Sequence, residues 1–133
     1  MSDPDFLPAH LLLVDDDDQL RNSLSRKLAE HGIEVDTATD GVEALRAMNQ
    51  KKYDLVILDL NMPEKDGFAV LRERGITQNA ETPIFVLTTV PLEKEQKALE
   101  LGAVLAFHKQ DFSGVRDCAN QIVEDFQEGK HLQ

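Results

Sequence analysis

Four short apolar runs in this chain each end in a residue able to do chemistry. Leu11-Leu12-Leu13-Val14 runs into Asp15-Asp16-Asp17-Asp18, and Leu55-Val56-Ile57-Leu58 runs into Asp59. Pro83-Ile84-Phe85-Val86-Leu87 runs into Thr88-Thr89, and Ala103 to Phe107 into His108-Lys109. If these runs are neighbouring parallel strands, one sheet edge gathers Asp15, Asp16, Asp59, Thr88 and Lys109. Ligands of open α/β sheets bind beyond such strand ends. Three carboxylates held there would repel by roughly 4 kcal/mol per pair at about 4 Å and an effective dielectric near 20. One or more would keep its proton unless something compensates. A divalent cation compensates. Mg²⁺ fits best, because it takes oxygen ligands, keeps several waters and is held by one or two carboxylates plus a phosphate. Zinc would need a Cys/His cluster, and the chain has none of that spacing. Lys109 and Thr88 can then neutralise and hydrogen-bond the oxygens of a phosphoryl group bound beside the metal.

The elements that must position these groups are legible from periodicity. Uninterrupted Leu/Val/Ile runs read as strands buried on both faces. Leu20, Leu24 and Leu28 recur at four-residue spacing among Arg21, Arg26 and Lys27, an amphipathic helix with Gly32 at its C-terminal stop. Asp17 and Asp18 belong to the start of that helix, favoured there by its dipole. Ile33-Glu34-Val35-Asp36-Thr37 alternates and reads as a half-exposed strand near an edge. Asp40 and Glu43 cap a helix carrying Val42, Leu45 and Met48. After Asp59, Pro63 and Asp66-Gly67 supply turn chemistry before a helix with Phe68 and Leu71 inward. Residues 75–82 read as loop. A helix from about Pro91 carries Leu92 and Leu99 and stops at Gly102. Val115, Ala119, Ile122 and Phe126 mark a last amphipathic helix with Ser113 as candidate N-cap. Strand and helix alternate five times, which specifies a parallel sheet with helices on both faces and right-handed crossovers.

The 133 residues suffice for one domain with a sizeable core, and 41% are apolar with no low-complexity tract. The expected domain is 1–133, with a core of about 9–127 and loose ends at 1–8 and 128–133. A formal net charge of −11 argues against a nucleic-acid or anionic-membrane partner. The single cysteine, Cys118, makes no internal disulfide and sits in a helix-core pattern. Met1-Ser2-Asp3-Pro4-Asp5 does not resemble a signal peptide, and no apolar run spans a bilayer. A cytoplasmic location is expected. His10, His31 and His131 read as solvated surface residues, and Met62 as loop packing.

Val14-Asp15-Asp16-Asp17, Asp59-Leu60-Asn61-Met62-Pro63 with Asp66-Gly67, Leu87-Thr88, and Lys109 after Gly102-Ala103 together resemble a response-regulator receiver domain. The resemblance covers about residues 9–127. It implies a flavodoxin-like, doubly wound five-stranded parallel sheet of order 2-1-3-4-5. It also implies a phosphoacceptor at Asp59, a metal-holding pair at Asp15 and Asp16, and a metal contact from the Asn61 backbone carbonyl. Thr88 resembles the switch hydroxyl and Lys109 the phosphate-sensing lysine. Such a protein is a phosphoacceptor that assists its own phosphorylation and dephosphorylation, and not an enzyme otherwise. A histidine kinase or phosphotransfer protein is the implied donor. The implied output is a downstream protein that reads the helix 4–strand 5–helix 5 face of a monomer or weak homodimer.

Three positions depart from that pattern. Ala106 stands where many members carry an aromatic switch residue, Gln110 replaces the proline that usually follows the lysine, and Thr89-Val90 follow the switch threonine. Without proline, Lys109–Gln110 is expected to be trans. Alternation places His108 on the side of Ala106 and Phe107 in the core on the other side. A phosphate sink, or a receiver module of a larger regulator or hybrid kinase, would carry the same motifs. An aspartate-nucleophile phosphatase also combines Asp, Thr and Lys around Mg²⁺. It needs a second acid two residues after the nucleophile, where Asn61 transfers no proton at neutral pH. A flavodoxin-like cofactor module would need a phosphate loop after strand one, where four aspartates stand instead.

Overall fold

The computed structural model describes residues 7–129. Expectations for residues 1–6 and 130–133, His131 among them, fall outside it. Ten principal elements alternate: β1 (His10–Val14), α1 (Asp18–Ala29), β2 (Glu34–Ala38), α2 (Gly41–Gln50), β3 (Leu55–Leu58), α3 (Gly67–Glu73), β4 (Ile84–Thr88), α4 (Leu92–Glu100), β5 (Leu105–His108) and α5 (Val115–Gln127). The strands pair in parallel in the order β2-β1-β3-β4-β5. This is the flavodoxin-like order that the resemblance implied. None of the helices among the described residues is long and apolar enough to cross a membrane.

Alternation within the strands builds two cores. Leu12, Val14, Val56, Leu58, Ile84 and Val86 face α2, α3 and α4, meeting Ala44, Met48, Val70, Leu71 and Ala98. Leu11, Leu13, Leu55, Ile57, Phe85 and Leu87 face α1 and α5, meeting Leu24, Leu28, Cys118, Ala119, Ile122 and Phe126. Each buried Leu, Ile, Val, Phe or Met among them contributes about 1.5–3 kcal/mol. The central strands β1, β3 and β4 are covered on both faces, so their ends are fixed in space. Burial also pushes the Cys118 thiol up to about 12.

Helix ends follow their capping chemistry. Asp17, Asp40 and Asp66 each accept from a backbone N–H three residues on, at Leu20, Glu43 and Ala69. Gly32 and Gly102 take the left-handed conformation (φ 86° and 112°) that ends α1 and α4. The expectation for Ser113 fails: Gly114 is the N-cap of α5, with no side-chain cap bond. The Ser113 hydroxyl instead donates to Asp117.

Three apolar residues that mark these helices in the sequence face out. Val42 is 44% exposed, Leu92 75% and Leu99 37%. The buried positions are Gly41, Ala44 and Met48 in α2, and Glu95 and Ala98 in α4. At about 100° per residue, Leu92 and Leu99 stand roughly 100–120° around the helix from Ala98, so packing on Ala98 turns both outward. β5 begins two residues later than expected and includes His108.

The stretch 75–82 has no long element but is not a bare loop. A 3₁₀ turn spans Arg74–Ile76, and Asn79 and Thr82 are buried. Asn79 donates from Nδ2 to the carbonyls of Met48 (2.6 Å) and Lys51 (2.8 Å). Its Oδ1 accepts from the Tyr53 N–H and the Thr82 hydroxyl, each at 2.8 Å. This one amide joins the end of α2, the approach to β3 and the approach to β4, with every polar atom satisfied.

Candidate functional site

The carboxyl ends of β1 and β3 lie side by side, because Val14 pairs with Leu58. The next residues on each strand continue the ladder. Asp15 N–H donates to the Ala38 carbonyl (3.1 Å) and Asp59 N–H to the Val14 carbonyl (2.9 Å). Backbone hydrogen bonds of the sheet therefore root both aspartates. Asp15 is 2% exposed and Asp59 4%, whereas Asp16 lies at the surface.

Local structure holds Asp15 further. Its Oδ1 accepts from Asp17 N–H at 2.9 Å, and its carbonyl accepts from Arg21 Nη1 at 2.9 Å. Arg21 also reaches Asp18 at 2.6 Å, tying the first turn of α1 to the acidic loop. The Asn61 N–H donates to Asp59 Oδ1 at 3.3 Å. One carboxylate oxygen from each of Asp15, Asp16 and Asp59 lies within 4.8 Å of the other two.

Lys109 enters from the end of β5, in a 3₁₀ turn over Lys109–Asp111. Its Nζ lies 2.8 Å from Asp15 Oδ2 and 3.7 Å from Asp59 Oδ2. No described peptide bond is cis, so Lys109–Gln110 is trans as expected. Burial pushes the Asp59 carboxyl up to about 7, and the charge of Asp15 adds to it, against the pull of Lys109 and the Asn61 N–H. Burial opposes the charge on Lys109. The hydrogen bond to Asp15 and the charges of Asp59 and Asp15 outweigh it and hold the ammonium above the usual lysine range.

Thr88 is fully buried at the end of β4. Its Oγ1 accepts from the Val90 N–H at 3.2 Å. Thus Asp15, Asp16, Asp59 and Lys109 converge, while the Thr88 hydroxyl is engaged by the turn that follows it. Phe107 packs between Phe85 and Phe112 on the α1/α5 side, and Ala106 packs on the other, as alternation required.

The loop after Asp59 is closed by a contact that its composition disguised. Gly67, read from sequence as turn chemistry where a helix opens, is the first residue of α3. A Cβ there would overlap the Asp59 carbonyl oxygen and come within 2.8 Å of Leu60 Cα. Its N–H donates to the Leu60 carbonyl at 3.1 Å. Close approach, and not turn freedom, is what glycine supplies. Sequence reasoning also missed Arg21, although its place early in α1, six residues after Asp15, was a usable signal. It gave Glu95 no role, since only the fold brings that residue to His108.

An all-oxygen donor set on a converging strand edge suits a hard divalent cation. Asp59 offers a carboxylate oxygen toward Lys109, which suits attack on an electrophilic phosphorus. Comparison with known proteins agrees with these features. The family model of the response regulator receiver domain matches residues 11–116. The transcriptional regulatory protein GlrR of Escherichia coli (strain K12) is 47% identical over 81 residues, covering 61% of this chain and 18% of that protein. The response regulator MprA of Mycobacterium sp. (strain KMS) is 42% identical over 98 residues, 73% of this chain and 42% of that one. The response regulator protein TrrA of Thermotoga maritima, solved in complex with Mg²⁺-BeF, superposes with a TM-score of 0.72 at 30% identity, covering 85% of this chain and 95% of that one. The chain spans less than half the length of these two curated relatives.

Proposed function

Because the chain belongs to the response regulator receiver-domain family, we propose that Asp59 is its phosphoacceptor and that the acidic cluster holds Mg²⁺. The observation that carries this reading is the setting of Asp59: a buried carboxylate at a strand end, between Asp15 and an ammonium 3.7 Å away. A carboxylate oxygen of Asp59 attacks the phosphorus of a phosphohistidine on a kinase or phosphotransfer protein. The P–N bond breaks as the acyl-phosphate P–O bond forms, and the imidazole leaves with the electron pair.

Asp15, Asp16, Asp59 and the Asn61 carbonyl are the residues for the cation. When bound, Mg²⁺ supplies positive charge for the phosphoryl oxygens. Lys109 then exchanges part of its hold on Asp15 for a phosphoryl oxygen, and the Thr88 hydroxyl donates to another. The domain assists this chemistry through placement and charge, and it works as a signal carrier of two-component systems. The face of α4, β5 and α5 is the proposed output surface, read by a downstream protein on a cytoplasmic monomer or weak homodimer. The shorter span relative to GlrR and MprA supports a second reading beside it, a receiver module of a longer regulator.

Acetyl phosphate with Mg²⁺, followed by intact mass, tests the proposal. The wild-type chain gains one phosphoryl group and Asp59→Asn gains none. Continuous hydrolysis without an adduct would point to a phosphatase, and an adduct persisting in Asp59→Asn would place the acceptor elsewhere.

A further inference from the structure

The Val90 peptide is gripped at both ends. Its N–H donates to Thr88 Oγ1 at 3.2 Å, and its carbonyl lies 3.1 Å from His108 Nε2. A carbonyl only accepts, so His108 carries a proton on Nε2. The same nitrogen lies 3.9 Å from Glu95 Oε1 on α4, a buried oxygen with no hydrogen-bond partner among the described residues. Thr88 and His108 are register partners on β4 and β5, yet their polar link runs through the Val90 peptide. One imidazole therefore joins β5, the β4–α4 turn and a carboxylate of α4. At position 106, on the same side of β5, alanine has no side-chain rotamer to change.

We propose that His108 is the positioning residue of the Thr88 hydroxyl and the element through which its movement reaches α4. This rests on the reading of Asp59 as phosphoacceptor and of Thr88 as its hydrogen-bond donor. When the hydroxyl moves to a phosphoryl oxygen, the buried Val90 N–H either loses its acceptor or follows it. Following is favoured, because an unsatisfied buried donor is costly. The turn then draws the Val90 carbonyl away from Nε2. A second acceptor already stands in reach, Glu95 Oε1, and the imidazole N–H passes from carbonyl to carboxylate. The two arrangements are discrete, and both strand edge and helix take part in the exchange. His108 thus does the coupling that Ala106 cannot.

Side-chain ¹⁵N–¹H spectra of the histidines, recorded for the whole chain with and without Mg²⁺ and beryllofluoride, test the proposal. The Asp59 adduct is followed separately by intact mass with acetyl phosphate. In the free protein His108 should show the Nε2-protonated pattern, and beryllofluoride should move it. His108→Ala should confine backbone amide shift changes to the strand ends, and His108→Gln, which keeps an N–H donor, should restore changes along α4. Glu95→Gln, which keeps the fold's shape but weakens the second acceptor, should leave the free-state His108 signal and reduce its displacement on activation. An adduct on Asp59 with an unmoved His108 signal overturns the coupling alone, as does His108→Ala transmitting as far as wild type. Failure of wild type to form the adduct overturns the phosphoacceptor reading and this inference with it.

Discussion

Lys109 sits closer to Asp15 than to Asp59, 2.8 Å against 3.7 Å. The ammonium thus favours Asp15 over Asp59, which it holds only at the longer distance. Asp59 is left incompletely compensated in a buried setting, and its carboxyl moves from the usual 3.8 up to about 7. The site is poised to lose a proton when positive charge arrives.

Stability without divalent cations should carry the mark of that proton. A carboxyl raised in the folded chain makes the folded state hold more protons than the unfolded one between about pH 4 and 7. The stabilisation is present below the unfolded value and is lost as pH rises through about 7. Urea denaturation in EDTA should show wild type losing about 2–4 kcal/mol across that window. Asp59→Asn should lack most of the loss and be the more stable protein at pH 8. Equal slopes for the two proteins would contradict the raised carboxyl.

Cation affinity should follow the same titration in the opposite sense. Mg²⁺ must displace the proton on Asp59, so affinity should rise up to about tenfold per pH unit below about 7 and level off above it. Calorimetric titration at pH 6, 7 and 8 measures this. Asp16→Asn should weaken Mg²⁺ binding and slow phosphorylation when Mg²⁺ is limiting. Labelling at the wild-type rate under those conditions would remove Asp16 from the ligand set.

Asn79 should be worth more to the fold than any single surface residue. Asn79→Leu leaves two carbonyls and a backbone N–H without this partner in the interior, while the Thr82 hydroxyl keeps the Tyr53 carbonyl as acceptor. A loss of roughly 3–5 kcal/mol is expected in chemical denaturation, from several unsatisfied groups at about 1–3 kcal/mol each with partial relief by water. A loss below about 1 kcal/mol would mean that the network reorganises freely.

Gly67→Ala should injure the site before it injures the fold. The added methyl must push the Asp59–Leu60 backbone away, at about 1–3 kcal/mol for such overpacking. Phosphorylation by acetyl phosphate should slow by at least tenfold while the far-ultraviolet circular dichroism stays native. Unchanged rates would show that the loop absorbs the methyl without moving Asp59.

The sequence carried the sheet well because β1, β3 and β4 are buried on both faces and so appear as unbroken apolar runs. The places of Asp15, Asp59 and Thr88 were legible for the same reason, each being the first polar residue after such a run, whereas Lys109 follows His108 at the end of the half-buried β5. Helix faces were harder. Periodicity finds a stripe but not its centre, and the small Ala44 and Ala98 mark the inward line more faithfully than Val42, Leu92 or Leu99. Asn79 was hidden because three of its four partners, at Met48, Lys51 and Tyr53, lie 26–31 residues earlier in the chain. The His108–Glu95 approach was hidden likewise, since nothing local pairs a strand histidine with a helix carboxylate.

The buried Cys118 gives this molecule a clock. Its thiol is almost wholly covered by the α1/α5 core and held far from its reactive form, so an alkylating reagent attacks it chiefly when that core opens. With no second cysteine in the chain, each modified molecule records one such opening. The rate of labelling under native conditions therefore counts excursions out of the folded state, and its change on adding Mg²⁺ or a phosphodonor weighs what each ligand does to the half of the domain lying behind the site.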